Sequence, residues 1–168
     1  MTVVLGTAAA AMLARAGDFD VLPAVPEEVL LAEPTYERLV ADAPNRAPAN
    51  AVVRVAEADG FRVVPVTNDD CFDRLRRNDR LTEADAATVA LADLVDGVAV
   101  VDEQYLETLA TAESVETTTL PRLLLAATAD GDLRAPRALD VFDDLLTAGW
   151  HGRSDLYATF IRALDAQS

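Results

Sequence analysis

Short apolar runs alternate with longer helix-like segments along this chain, and that rhythm narrows its folds more than any other feature. Thr2–Leu5 reads as a strand, and Thr7–Ala16 as an Ala/Leu-rich helix that Gly17 closes. Phe19–Val25 reads as a short helix ended by Pro26. Val29–Ala32 reads as a second strand, with Pro34 in the first turn of a helix over Thr35–Ala43. The stretch Ala43–Ala49 is the clearest loop, followed by a helix over Asn50–Ala58. Phe61–Val66 reads as a strand, with Pro65 suiting a sheet edge. A short helix is expected near Cys71–Arg77. Thr82 then caps a long helix, Glu83–Leu94, with Asp85 at its third position. The strand Val98–Val101, the helix Gln104–Ala112 and a last short strand at Val115 follow. Helices over Leu120–Ala129, Ala135–Ala148 and Ser154–Ala166 close the chain.

Strand–helix–strand crossovers of this kind place parallel strands in one sheet with helices on both faces. The expected fold is α/β: a three-layer α/β/α sandwich around a central, mostly parallel sheet of four or five strands. With 168 residues, no internal repeat and no linker, a single domain over residues 1–168 is expected.

Charge is the loudest compositional signal. There are 29 acidic residues against 14 basic ones, a net charge of −15. Every basic residue is Arg; Lys is absent. The acids are dispersed along the chain rather than gathered in a tail. Dispersed acid without Lys fits a halophilic, haloarchaeal-type sequence kept soluble in molar salt, where the Debye length falls to about 3 Å. An acidic chain normally argues against nucleic-acid binding, but in molar salt the reward for basic patches is largely gone. Cys71 stands alone, which excludes an internal disulfide and any Cys-rich metal site, and His151 is the only His. The apolar N-terminus lacks a basic leader region, and no run reaches the length of a membrane span. A cytoplasmic protein with no membrane partner is the expectation.

In open parallel sheets, ligands gather at the carboxyl ends of the strands. There the sequence places Gly6 and Thr7 after the first strand, and Asp102 and Glu103 after Val98–Val101. Asp85 and Glu83 open the long helix. Clustered carboxylates at strand ends are what Mg²⁺ or Mn²⁺ requires. The plain alternative is that an acid-rich surface puts carboxylates everywhere, and that Asp85 merely complements a helix dipole. Trp150 and Tyr157 are expected to pack the C-terminal helices, Cys71 to be a small core residue, and His151 to sit in a polar turn. Arg74, Arg76, Arg77 and Arg80 form the one basic cluster, either a salt-bridged face or a phosphate-contacting edge.

Several segments resemble, in order, those of PIN-like proteins, a family of short prokaryotic proteins related to the toxin ribonucleases of toxin–antitoxin pairs. VVLGTAAAAMLARAGDFDVL is similar to the family's opening strand and helix, and VLLAEPTYERL to its second strand and following helix. LTEADAATVALA resembles the acid-bearing helix, and VAVVDEQYLETLA the strand ending in two acids. LLLAATADG and LLTAGWHGRSDLYATFIRAL, with Gly149, Trp150, Ser154 and Tyr157, resemble its closing helices. The resemblance spans essentially the whole chain. It implies a Mg²⁺- or Mn²⁺-dependent endoribonuclease lineage, RNA as substrate, a small antitoxin-like protein partner and a homodimer. The family's metal ligands fall on Asp85 and on Glu103, with Asp102 as the alternative. Two positions depart from the pattern. The first-strand Asp falls on Gly6, and the acid of the second major helix falls on Arg38, with Glu37 one position early. The resemblance therefore implies a weakened metal site with little or no nuclease activity, or a non-catalytic RNA- or protein-binding regulatory module on the same fold.

Overall fold

The computed structural model describes residues 1–41, 46–150 and 154–167, with the side chains of residues 154–156 left aside. Among these, β1 (Thr2–Leu5), β2 (Glu28–Ala32), β3 (Arg62–Val64), β4 (Val98–Val100) and β5 (Glu116–Thr118) form one sheet in the order β3-β2-β1-β4-β5. Every neighbouring pair is parallel. The helices are α1 (Thr7–Ala16), α2 (Glu33–Val40), α3 (Ala47–Glu57), α4 (Asp70–Leu75), α5 (Glu83–Leu94), α6 (Gln104–Ala112), α7 (Leu120–Ala129), α8 (Ala135–Thr147) and α9 (Ser154–Gln167).

The three central strands, β2, β1 and β4, are apolar on both faces because both are covered. Val3 and Leu5 of β1, Val29 and Leu31 of β2, and Val98 and Val100 of β4 enter one core with α1, α3, α7, α8 and α9. Val4, Leu30, Ala32 and Ala99 point the other way, into a second core built with α4, α5 and α6. This two-residue alternation makes the molecule an α/β/α sandwich. Phe142 anchors the C-terminal helices, with Phe160 stacked at 4.4 Å, Tyr157 at 5.6 Å and Trp150 edge-on at 5.5 Å. Trp150 and Tyr157 are thus packing residues, as expected. His151 lies outside the described residues.

Several local boundaries differ from the sequence reading. The expected loop Ala43–Ala49 gives way at Ala47 to α3, with Pro48 in its first turn. Proline read as a loop signal there serves as a helix start, where its missing N–H costs nothing. The second helix begins at Glu33 and ends at Val40, displaced toward the strand before it. The last strand is carried by Glu116–Thr118, with Val115 buried just ahead of it.

Candidate functional site

The strand order fixes where a ligand would sit. From β1 the chain builds outward through β2 and β3, then crosses to β4 and β5 on the other side. In open parallel sheets the ligand crevice lies at such a switch point, which here is outside the carboxyl ends of β1 and β4. Gly6 follows β1 there. Its backbone N–H donates to the Val100 carbonyl at 2.9 Å, and a Cβ built on it would stand 2.6 Å from that same oxygen. Its φ of −68° is open to any residue, so the close backbone approach, not the dihedral, demands glycine. The place where a side chain would start is taken by β4.

Behind Gly6 runs a short chain of hydroxyls. Thr7 Oγ1 lies 3.0 Å from Thr35 Oγ1 of α2, which lies 3.5 Å from Thr88 Oγ1 of α5. Thr88 donates to the Ala84 carbonyl at 2.9 Å. A hydroxyl has one proton, so Thr88 must accept from Thr35, and Thr35 from Thr7. The chain is polarised inward. Thr35 and Thr88 are fully buried and Thr7 is half-buried. The sequence reading placed Thr7 at the end of the first strand but passed over Thr35 and Thr88. The one available signal was Thr88 itself, the lone polar residue in the Ala/Val/Leu run of α5.

The predicted acids differ in burial and in partners. Asp85 is half-buried in the first turn of α5, its N–H held by the capping Thr82 Oγ1 at 3.1 Å. It stands one turn before Thr88 and shares that face. Glu83 is exposed. Asp102, just past β4, accepts from the Leu120 N–H at the start of α7 at 3.4 Å with Oδ1, while its Oδ2 is buried without a hydrogen-bond partner. Burial pushes the Asp102 pKa above the usual carboxylate value. The Leu120 N–H and the Trp150 side chain oppose the rise, and Glu103 adds to it. Glu103 is exposed. Glu37 and Arg38 are both exposed on α2, whereas Thr35 of that helix is buried and meets Thr88 of α5.

A family model described as a PIN domain matches residues 2–166. The chain belongs to the PIN domain family. No curated protein and no solved structure matches it. PIN domains generally use Mg²⁺ or Mn²⁺, so the donor set of this PIN domain can be tested for fit. Asp102 has the character of a lone ligand, an unsatisfied buried oxygen that a proton or a cation would relieve. A divalent centre needs more oxygen donors than that. Among the described residues, no group of three or more His, Cys, Asp or Glu is placed to hold a metal ion. The donors present do not fit a complete divalent site.

Elsewhere on this PIN domain, surface hollows of about 290, 300, 310 and 260 Å³ open on other faces; none of these four takes a wall from Asp85, Asp102 or Glu103. Cys71 is buried, its thiol donating to Glu113 at 3.7 Å and pushed up to about 11 chiefly by burial, which leaves it an inert core residue. No helix among the described residues is long and apolar enough to cross a membrane.

Proposed function

We propose that this is a PIN-domain protein of the Mg²⁺/Mn²⁺-dependent ribonuclease lineage whose acidic centre is degenerate, with weak or no nuclease activity of its own. One observation carries the reading: the position of the first-strand carboxylate is Gly6, and its side-chain space is filled by the Val100 carbonyl at 2.6 Å. A missing ligand whose space stayed open would be restored by one substitution. Here the strands have closed over the gap. Asp85, Asp102 and Glu103 remain as remnants of the centre, and Glu37, on an exposed face, adds little to it.

The fold then serves as a non-catalytic module that holds RNA, or a protein, at the crevice. The family resemblance adds a small antitoxin-like partner, a homodimer and a cytoplasmic setting to this reading. Light scattering of the purified chain, alone and with a candidate partner, checks the first two.

The decisive measurement is cleavage of labelled single-stranded RNA with Mn²⁺ at low and at multimolar KCl. Wild type, Asp85→Asn and Asp102→Asn are all expected at background. Wild-type cleavage that vanishes in Asp85→Asn would overturn the proposal. Gly6→Asp is expected to lower stability by about 1–3 kcal/mol through overpacking and to gain no cleavage.

A further inference from the structure

The basic cluster divides into spent and available charge. Arg74 pairs with Glu113, and Arg76 with Asp73 at 3.4 Å. Arg77 and Arg80 are exposed, and neither has a carboxylate within ion-pair range among the described residues. Arg80 is nonetheless held in place. Its guanidinium lies over the Tyr105 ring, 4.0 Å from the centroid. Asn78 secures both partners: its Nδ2 donates to Tyr105 Oη at 3.0 Å, and its Oδ1 accepts from the Arg80 backbone N–H at 3.0 Å. Backbone bonds from Asn78 to Leu75 and from Leu81 to Asn78 fix the loop beneath. An exposed arginine held over an aromatic ring has one side covered by the ring and the rest of its guanidinium open to a ligand.

Its location gives this arrangement a use. Arg80 lies just ahead of Thr82, which caps the helix carrying Asp85; Tyr105 opens α6, just after Asp102 and Glu103. The stack therefore joins the two elements that bear the remnant acids. Asp69, Asp70, Asp73 and Asp79 lie in the same segment, in a chain of net charge −15, so attraction for phosphates alone is weak here. Stacking on an unpaired base does not depend on that attraction and tolerates salt.

We propose that the Arg80–Tyr105 stack is a platform for a single RNA strand, with an unpaired base stacking on the outer face of the Arg80 guanidinium and Arg77 meeting a neighbouring phosphate. Paired bases in a duplex present no such face, so the ligand is single-stranded. The proposal rests on the RNA-holding reading above and specifies where the strand lies.

Fluorescence anisotropy tests it, with a labelled oligouridine of about 12 nucleotides and an abasic ribose-phosphate chain of equal length, at 0.1 and 2 M KCl. Wild type is expected to prefer the base-bearing strand by about tenfold. Arg80→Lys keeps the charge and loses the plane, and Tyr105→Leu removes the support; both should bind the two strands alike. Arg77→Ala should weaken both strands equally and flatten the salt dependence. Circular dichroism confirms that each variant is folded. A preference unmoved by Arg80→Lys and Tyr105→Leu, or wild type binding both strands alike, overturns the platform while leaving RNA binding intact. Unchanged binding in Arg77→Ala removes Arg77 from it. Wild type binding neither strand overturns the RNA-holding reading and the platform together.

Discussion

Asp18 carries the most perturbed carboxyl in the described structure that has a ready physical account. It is almost fully buried beyond the C-terminus of α1, where Gly17 turns the chain at φ 82°. Arg137 of α8 reaches it at 2.9 Å and Asp20 at 3.2 Å. Its pKa is pushed up to about 6, first by burial and then by the hydrogen bond and charge of Asp144, against the pull of Arg137. A raised folded-state pKa means that the native protein holds this proton more tightly than the unfolded chain, whose Asp titrates near 3.9. Its linked stability is present in full below about pH 4 and lost as pH rises through about 6. Asp18→Asn imitates the protonated form and can still donate to Asp144. Urea midpoints at pH 4.5, 5.5 and 7 should show wild type losing stability relative to Asp18→Asn across that interval. A difference that stays constant with pH would mean that Arg137 keeps Asp18 ionised.

Between elements, the Thr35–Thr88 contact ties α2 to α5 behind the crevice. Thr88→Val leaves the buried Thr35 proton without its acceptor, and Thr35→Val takes the acceptor of Thr7 and the donor to Thr88, at a cost of about 1 kcal/mol each. Replacing both by Val loses the Thr35–Thr88 bond once, whereas the two singles each count it. The double variant should therefore cost less than the two singles added together, read as urea midpoints in a double-mutant cycle. Strict additivity would show that the hydroxyls do not interact. This pair also marks where reading the sequence runs out. The helices α5 and α6 are legible to the residue, because Thr82 caps an Ala-rich run and an apolar strand precedes Gln104. Asp85, Asp102 and Glu103 are legible as acids at strand or helix ends. A buried threonine is indistinguishable in sequence from a β-branched core filler until its partner helix is in place. Gly6 can be read as a missing carboxylate, but the carbonyl that fills its space comes from β4, far along the chain. Pairing across the sheet, not local propensity, decided that site.

On the scale of the whole molecule, the surface has far more acids than partners for them. The ion pairs among the described residues involve Glu28, Asp73, Glu113, Asp18 and Asp20, against 29 acidic residues in all. The remaining carboxylates repel one another in the compact state more than in the expanded one, because folding brings them closer. Two consequences separate this from a general effect of salt on hydrophobic burial. The Debye length falls from about 10 Å at 0.1 M to about 3 Å at 1 M, so the gain in stability with KCl should be steepest below 1 M and then flatten. Protonating the carboxylates removes the repulsion, so the same titration at pH 4.5 should give a shallower response than at pH 7. Thermal midpoints measured across both series check the pair of expectations. A midpoint that is flat or falling with KCl at pH 7 would show that the net charge of −15 does not limit stability. An equal slope at both pH values would assign the gain to salting-out of apolar surface instead. Screening of this kind also bears on RNA binding, since the salt that favours the fold weakens every phosphate contact. A stacked platform at Arg80 is the kind of contact such a molecule can keep.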